Sequence, residues 1–125
     1  MKKNKYKIIK NQLGNIEKII SKNEKYYKGF NELYITNLNK DKIKGWNMHK
    51  KMTLNLFVIK GKVKFHLKQK KILKQITLSE DSKEILTVKP KTWLKMKNLY
   101  NKKSKIINFA NLKHNKNEIV KKNIL

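Results

Sequence analysis

The stretch that most restricts this chain runs from Thr53 to Lys68. It reads Thr-Leu-Asn-Leu-Phe-Val-Ile, then Lys60-Gly61, then Lys-Val-Lys-Phe-His-Leu-Lys. Seven nearly continuous apolar and β-branched residues are too short for a membrane span and suit a strand buried on both faces. Lys60-Gly61 is a tight turn. After it, Val63, Phe65 and Leu67 alternate strictly with Lys62, Lys64, His66 and Lys68, the period-2 pattern of a half-buried strand. A helix cannot satisfy both halves of such a pair, so the centre of the chain is a β-hairpin.

Turn signals elsewhere divide the chain in the same way. Gly14-Asn15 separates Ile8-Ile9 from Ile16 to Ile20, and Ser21 to Lys28 is a polar loop. Phe30 to Leu38 alternates, with Leu33 and Ile35 on one side and Tyr34 and Thr36 on the other. Asn39-Lys40-Asp41 is turn chemistry. Ile72 to Leu78, Glu84 to Val88, Trp93 to Leu99 and Lys105 to Ala110 complete the set, and a short helix is expected around Glu118 to Lys122. About ten short antiparallel strands without a sustained helical period mean an all-β sandwich or jelly roll. The 125 residues make one expected domain, 1–125, with 1–7 and 119–125 frayed.

Before the central hairpin lies Lys44-Gly45-Trp46-Asn47-Met48-His49-Lys50-Lys51. In a strand, residues two apart share a face, so Asn47, His49 and Lys51 are expected to point into one cavity. An imidazole, with an ordinary pKa of ~6.5, can take a proton near neutral pH. His49 is therefore either a general base or a hydrogen-bonded residue that only shapes the pocket. Lys44, Lys50 and Lys51 are candidate contacts for a diphosphate, with solvated surface lysine as the alternative. Trp46 and Trp93 flank this stretch, Trp93 as expected core. His66 lies on a solvated face, and His114 sits in a polar tail with no partner by spacing.

Charge invites another reading. The net charge is +25, but all 33 basic residues are lysine. Arginine, which supplies most bidentate base and phosphate recognition, is absent. The abundance of Lys, Asn and Ile beside one Ala and one Pro is the mark of an AT-rich coding sequence. The scarcity of Asp and Glu has no such origin. No zinc-finger spacing or DNA-reading helix is visible, so nucleic acid is not the expected partner. With no cysteine there is neither a disulfide nor a thiolate metal site. With eight acidic residues scattered along the chain, carboxylate catalysis is not expected either.

Four segments in order carry a resemblance to a known family. They are Leu13-Gly14-Asn15-Ile16, Lys44 to Lys50, Leu86-Thr87-Val88-Lys89-Pro90-Lys91-Thr92-Trp93, and Ile107 to Asn111 followed by Asn115-Lys116-Asn117-Glu118. Together they resemble the dTDP-4-dehydrorhamnose 3,5-epimerase-like branch of the cupins, whose members act on nucleotide-linked keto sugars. The resemblance implies a cupin-type double-stranded β-helix and a role in cell-surface polysaccharide synthesis. In active members a histidine removes the proton beside a ketone, a tyrosine returns one from the other face, and a lysine steadies the enolate. Here the base position falls on Asn47, the later histidine on Leu94, the tyrosine near Leu112 or Lys113, and the early arginine on Leu13.

The resemblance therefore implies either an isomerase or epimerase working with the remaining His49, Asn47 orienting the oxygen and Lys44, Trp46, Lys50 and Lys51 binding substrate, or a sugar-nucleotide-binding cupin without activity. A basic nucleic-acid-binding domain is the third reading. No cofactor or metal is expected, because His49 stands alone where a cation needs three or more ligands. The expected partners are a dTDP-sugar and a second copy of the chain. No apolar run approaches the ~20 residues of a membrane span, and the basic start lacks a signal peptide's apolar stretch; a cytoplasmic protein is expected.

Overall fold

A computed structural model describes residues 2–123. Twelve strands make up nearly all of the regular structure. They are β1 (Lys2–Lys5), β2 (Lys7–Ile9), β3 (Ile16–Lys18), β4 (Glu32–Leu38), β5 (Ile43–His49) and β6 (Leu54–Lys60). They continue with β7 (Lys62–Gln69), β8 (Ile72–Ser79), β9 (Glu84–Val88), β10 (Trp93–Asn98), β11 (Ser104–Ala110) and β12 (Ile119–Lys121). A five-stranded sheet in the order β1-β9-β6-β11-β4 faces another in the order β12-β5-β10-β7-β8, with β2-β3 as a small separate hairpin. All pairings are antiparallel, and the interior lies between the two large sheets. This is the cupin-like jelly roll.

The central hairpin folds as its pattern dictates. β6 is buried from Leu54 to Val58, while β7 buries Val63, Phe65 and Leu67 and turns its lysines outward. Leu56, Val63, Phe65, Leu67, Leu78, Leu86 and Ile106 have no exposed surface, and burying each is worth roughly 1.5–3 kcal/mol. Gly61 closes the turn at φ 88, which a Cβ would resist.

One expectation is corrected near the end of the chain. The helix expected around Glu118 to Lys122 is instead a 3-10 turn at Lys116–Glu118 followed by β12. The Asn115 side chain caps the start of this turn by accepting from the Asn117 amide, and Ile119 ends it in an extended conformation. The β-branched pair Ile119-Val120 then extends along β5. At the two ends β1 lies along β9 and β12 along β5; Met1, Ile124 and Leu125 fall outside the described residues. Among the described residues, no helix is long and apolar enough to cross a membrane.

Candidate active site

On the inner face of β5, Asn47 and His49 point between the sheets, as the period-2 reading requires. They line a cavity of about 70 Å³ with Tyr34, Thr36, Asn108, Leu94 and His114. Lys44 joins them against the parity of the strand. The pairing of β5 with β10 runs from Asn47–Leu94 to Lys44–Met96, so β5 carries an extra residue there. Gly45 makes this bulge possible. It sits at φ 123, and a Cβ on it would lie 2.5 Å from the Leu94 carbonyl oxygen. The Gly45–Trp46 peptide is cis.

The feature that gives the cavity its chemistry comes from the far end of the chain. The His49 Nδ1 lies 2.6 Å from Glu118 Oε2, and the two side chains are only 14% and 11% exposed. Glu118 Oε1 accepts the backbone N–H of Lys51 at 2.6 Å and of Met52 at 2.8 Å. Burial pushes the Glu118 carboxyl up. The Lys51 amide, His49 and the Met52 amide together outweigh it, and they hold the group below its ordinary value. A carboxylate so held accepts from Nδ1–H, which fixes the tautomer and leaves His49 Nε2 as the nitrogen free to take a proton.

Two further groups face the same space. The His114 ring stands 6.5 Å from that of His49 and 6.3 Å from that of Tyr34, edge to face in both cases. Burial, with Glu32 and Glu118 nearby, pushes the Tyr34 hydroxyl up to about 12, so it remains a donor at neutral pH. Behind them the Asn108 amide donates to Thr36 Oγ1 at 2.9 Å and to the Ile106 carbonyl at 3.2 Å, which fixes the polar wall. An outer hollow of about 560 Å³ shares Tyr34, Thr36, Lys44 and His114 with the cavity.

Other expected site residues lie elsewhere. Trp46 is on the outer face of the sheet, edge-on to His66 at 6.4 Å with the Lys95 ammonium 4.9 Å from its ring. Lys50 and Lys51 follow the end of β5 and border a separate hollow beyond Glu118, where Lys50 Nζ donates to the Asn117 carbonyl. Trp93, expected as core, is half-buried on the same outer face beneath the Lys122 ammonium, because it occupies an outward position of β10. Leu13, at the family's arginine position, is 99% exposed. Spacing alone does not mark His114 or Glu118 as site residues, since each reaches His49 only through the closed fold. Of the two, only Glu118 had a signal, its place in the segment Asn115 to Glu118. Among the described residues no group of three or more side chains converges in the manner of a metal site.

The family described as "FdtA: WxcM-like, C-terminal" matches residues 2–123. The chain belongs to that family. No curated protein matches the sequence. Solved structures share the fold at low identity. A dTDP sugar isomerase from Desulfovibrio desulfuricans G20 is 19% identical with a TM-score of 0.86, the match covering 97% of this chain and 82% of that one. A histidine-to-asparagine mutant of the 3,4-ketoisomerase QdtA from Thermoanaerobacterium thermosaccharolyticum, in complex with TDP-4-keto-6-deoxyglucose, is 24% identical with a TM-score of 0.82, covering 95% and 85%. A dTDP-4-dehydrorhamnose 3,5-epimerase from Bacillus anthracis str. Ames, with TDP and PPi bound, is 12% identical with a TM-score of 0.84, covering 95% and 76%.

Proposed function

We propose that this member of the family isomerises a nucleotide-linked 4-keto sugar of cell-surface polysaccharide synthesis, with His49 as the proton carrier. The observation that carries this reading is the 2.6 Å contact between Glu118 and Nδ1 of His49, the histidine in the cavity wall. It gives a lone histidine the orientation that a general base needs. His49 Nε2 takes the proton from the carbon beside the ketone, and the electrons pass to the carbonyl oxygen. Tyr34, Asn47 and Lys44 are the donors that face the resulting oxyanion. The hydroxyl proton of the first carbon's oxygen passes to the former ketone oxygen, and the imidazolium returns its proton to the neighbouring carbon. Ketone and alcohol have then exchanged places.

One base working on one face favours such a transfer over an epimerisation, which needs an acid across the ring. The family's tyrosine acid position falls on Leu112 or Lys113, neither of which lines the cavity. The size of the cavity adds support. About 70 Å³ holds the reacting carbons and little else, whereas the outer hollow of about 560 Å³ falls within the ~300–1,000 Å³ usual for a ligand. The nucleoside diphosphate belongs there, with Lys44 at the junction. A homodimer is part of this reading, because Phe30, Leu33 and Ile35 are half or more exposed on the outside of the first sheet.

The test is solvent exchange. Incubated in D2O with TDP-4-keto-6-deoxyglucose, the protein should yield the 3-keto isomer with deuterium beside the carbonyl. His49→Ala should abolish this while keeping the rise in melting temperature that TDP confers. A melting shift without exchange in the native protein would make it a binding module. No shift and no exchange would remove the sugar-nucleotide reading altogether.

A further inference from the structure

Of the second sheet, the proposed reaction uses only the inner face, and the outer face has a chemistry of its own. One register row crosses all five strands. Leu73 on β8 stands opposite Lys68 on β7, Lys68 opposite Trp93 on β10, Trp93 opposite Met48 on β5, and Met48 opposite Val120 on β12. Four of these side chains are apolar, and Leu73 is 69% exposed.

At the end of the row the β7–β8 hairpin closes with Lys68-Gln69-Lys70-Lys71-Ile72-Leu73-Lys74, and Ile72 there is 64% exposed. Lys70 has φ 56, a left-handed position that glycine or asparagine fills with less strain. The turn thus carries a cation at its apex against local steric preference. Further along the face Lys64 lies directly opposite Lys97, a like-charge pair that weakens a sheet unless an anion sits over it. Burial, together with Lys95, Lys64 and Lys97, holds the His66 imidazole below its ordinary value. None of the five strands contains an aspartate or glutamate.

An aliphatic tip, a tryptophan in the row behind it and lysines all round match the layers of a bilayer with anionic headgroups. Aliphatic side chains leave water, indole rests at headgroup level and ammonium groups meet phosphate. Single-stranded nucleic acid asks for open aromatic rings among the lysines. Here the rings of Trp46 and Trp93 each have a lysine ammonium over them, at 4.9 and 5.2 Å, and the exposed tip is aliphatic. We infer that the β7–β8 tip and the adjoining edge of the outer face dock this protein on an anionic lipid surface.

Co-sedimentation with vesicles tests this, using phosphatidylcholine alone or mixed with phosphatidylglycerol, at physiological salt. The native protein should bind the mixed vesicles and leave the neutral ones in solution. Lys70→Glu/Lys71→Glu should weaken binding on the order of a hundredfold, and Ile72→Asn/Leu73→Asn should weaken it about tenfold or more. The same charge reversal at Lys22 and Lys25, in the loop before Tyr26, should change little. All six side chains are exposed, so these variants should fold. Equal losses from both pairs of reversals would mean that net charge alone is responsible and would overturn the inference. Unchanged binding in the aliphatic variant would do the same. So would a preference for a single-stranded oligonucleotide over the vesicles, or a change of oligomeric state in the aliphatic variant with vesicle binding intact.

Discussion

The space between the two sheets has two halves built to different rules. Where β9 and β6 face β8 and β7, it is filled by Leu56, Val58, Val63, Phe65, Leu78 and Leu86, without a polar side chain among them. Where β4 and β11 face β12 and β5, the same inward positions hold Tyr34, Thr36, Asn108, Asn47 and His49. One backbone architecture therefore serves as a dry core on one side and a polar cavity on the other. The difference lies in side chains and in the bulge at Gly45 that brings Lys44 inward. The dry half supplies the stability that lets the other half keep groups which cannot pack.

That contrast can be broken by experiment. The largest effect should come from Phe65→Ala, which leaves a void in the dry half. Chemical denaturation should show a loss of about 3–5 kcal/mol, and the folded fraction should keep its turnover. Next is Glu118→Gln, which turns an acceptor toward His49 into a poorer one. Turnover should fall on the order of a hundredfold, and melting should drop at neutral pH, where the ionised carboxylate stabilises the fold. The pH dependence of stability should change as well. The native Glu118 pKa is depressed, so its contribution is present above the ordinary carboxylate value of 4.5 and is lost as pH falls through the lower folded value. The glutamine variant should lack that acid-side loss.

A smaller effect concerns Tyr34. Its pKa is raised from 10.0 to about 12, so its contribution to stability is full below 10 and fades as pH climbs through the folded value. Ultraviolet titration of Tyr34→Phe against the native protein should remove one phenol that ionises near 12. Smallest is Thr36→Val, which removes one acceptor of the Asn108 amide and should cost about 1 kcal/mol or less. If Thr36→Val destabilised the protein as much as Phe65→Ala, the division into two halves would not hold.

The sequence made one half far more legible than the other. Alternation and turn residues located β6 to β11 almost to the residue, because a dry core is written as local periodicity. The same period put Asn47 and His49 on one face. It could not place Lys44, since a bulge at Gly45 reverses the parity of the strand. Nor could it find Glu118 or His114. Their apposition to His49 spans more than 60 residues and depends on β12 lying along β5. Ile119-Val120-Lys121 is too short to announce itself as a strand without its partner. The polar half was unreadable because it is assembled from contacts that no short window contains.

The tether between Glu118 and the end of β5 gives the molecule a fuse. β12 is a three-residue edge strand, and its departure would release the carboxylate while Leu56 and Phe65 stayed in place. On warming, turnover should therefore die several degrees before the roll itself comes apart. Catalytic output would act as a thermometer for one frail seam.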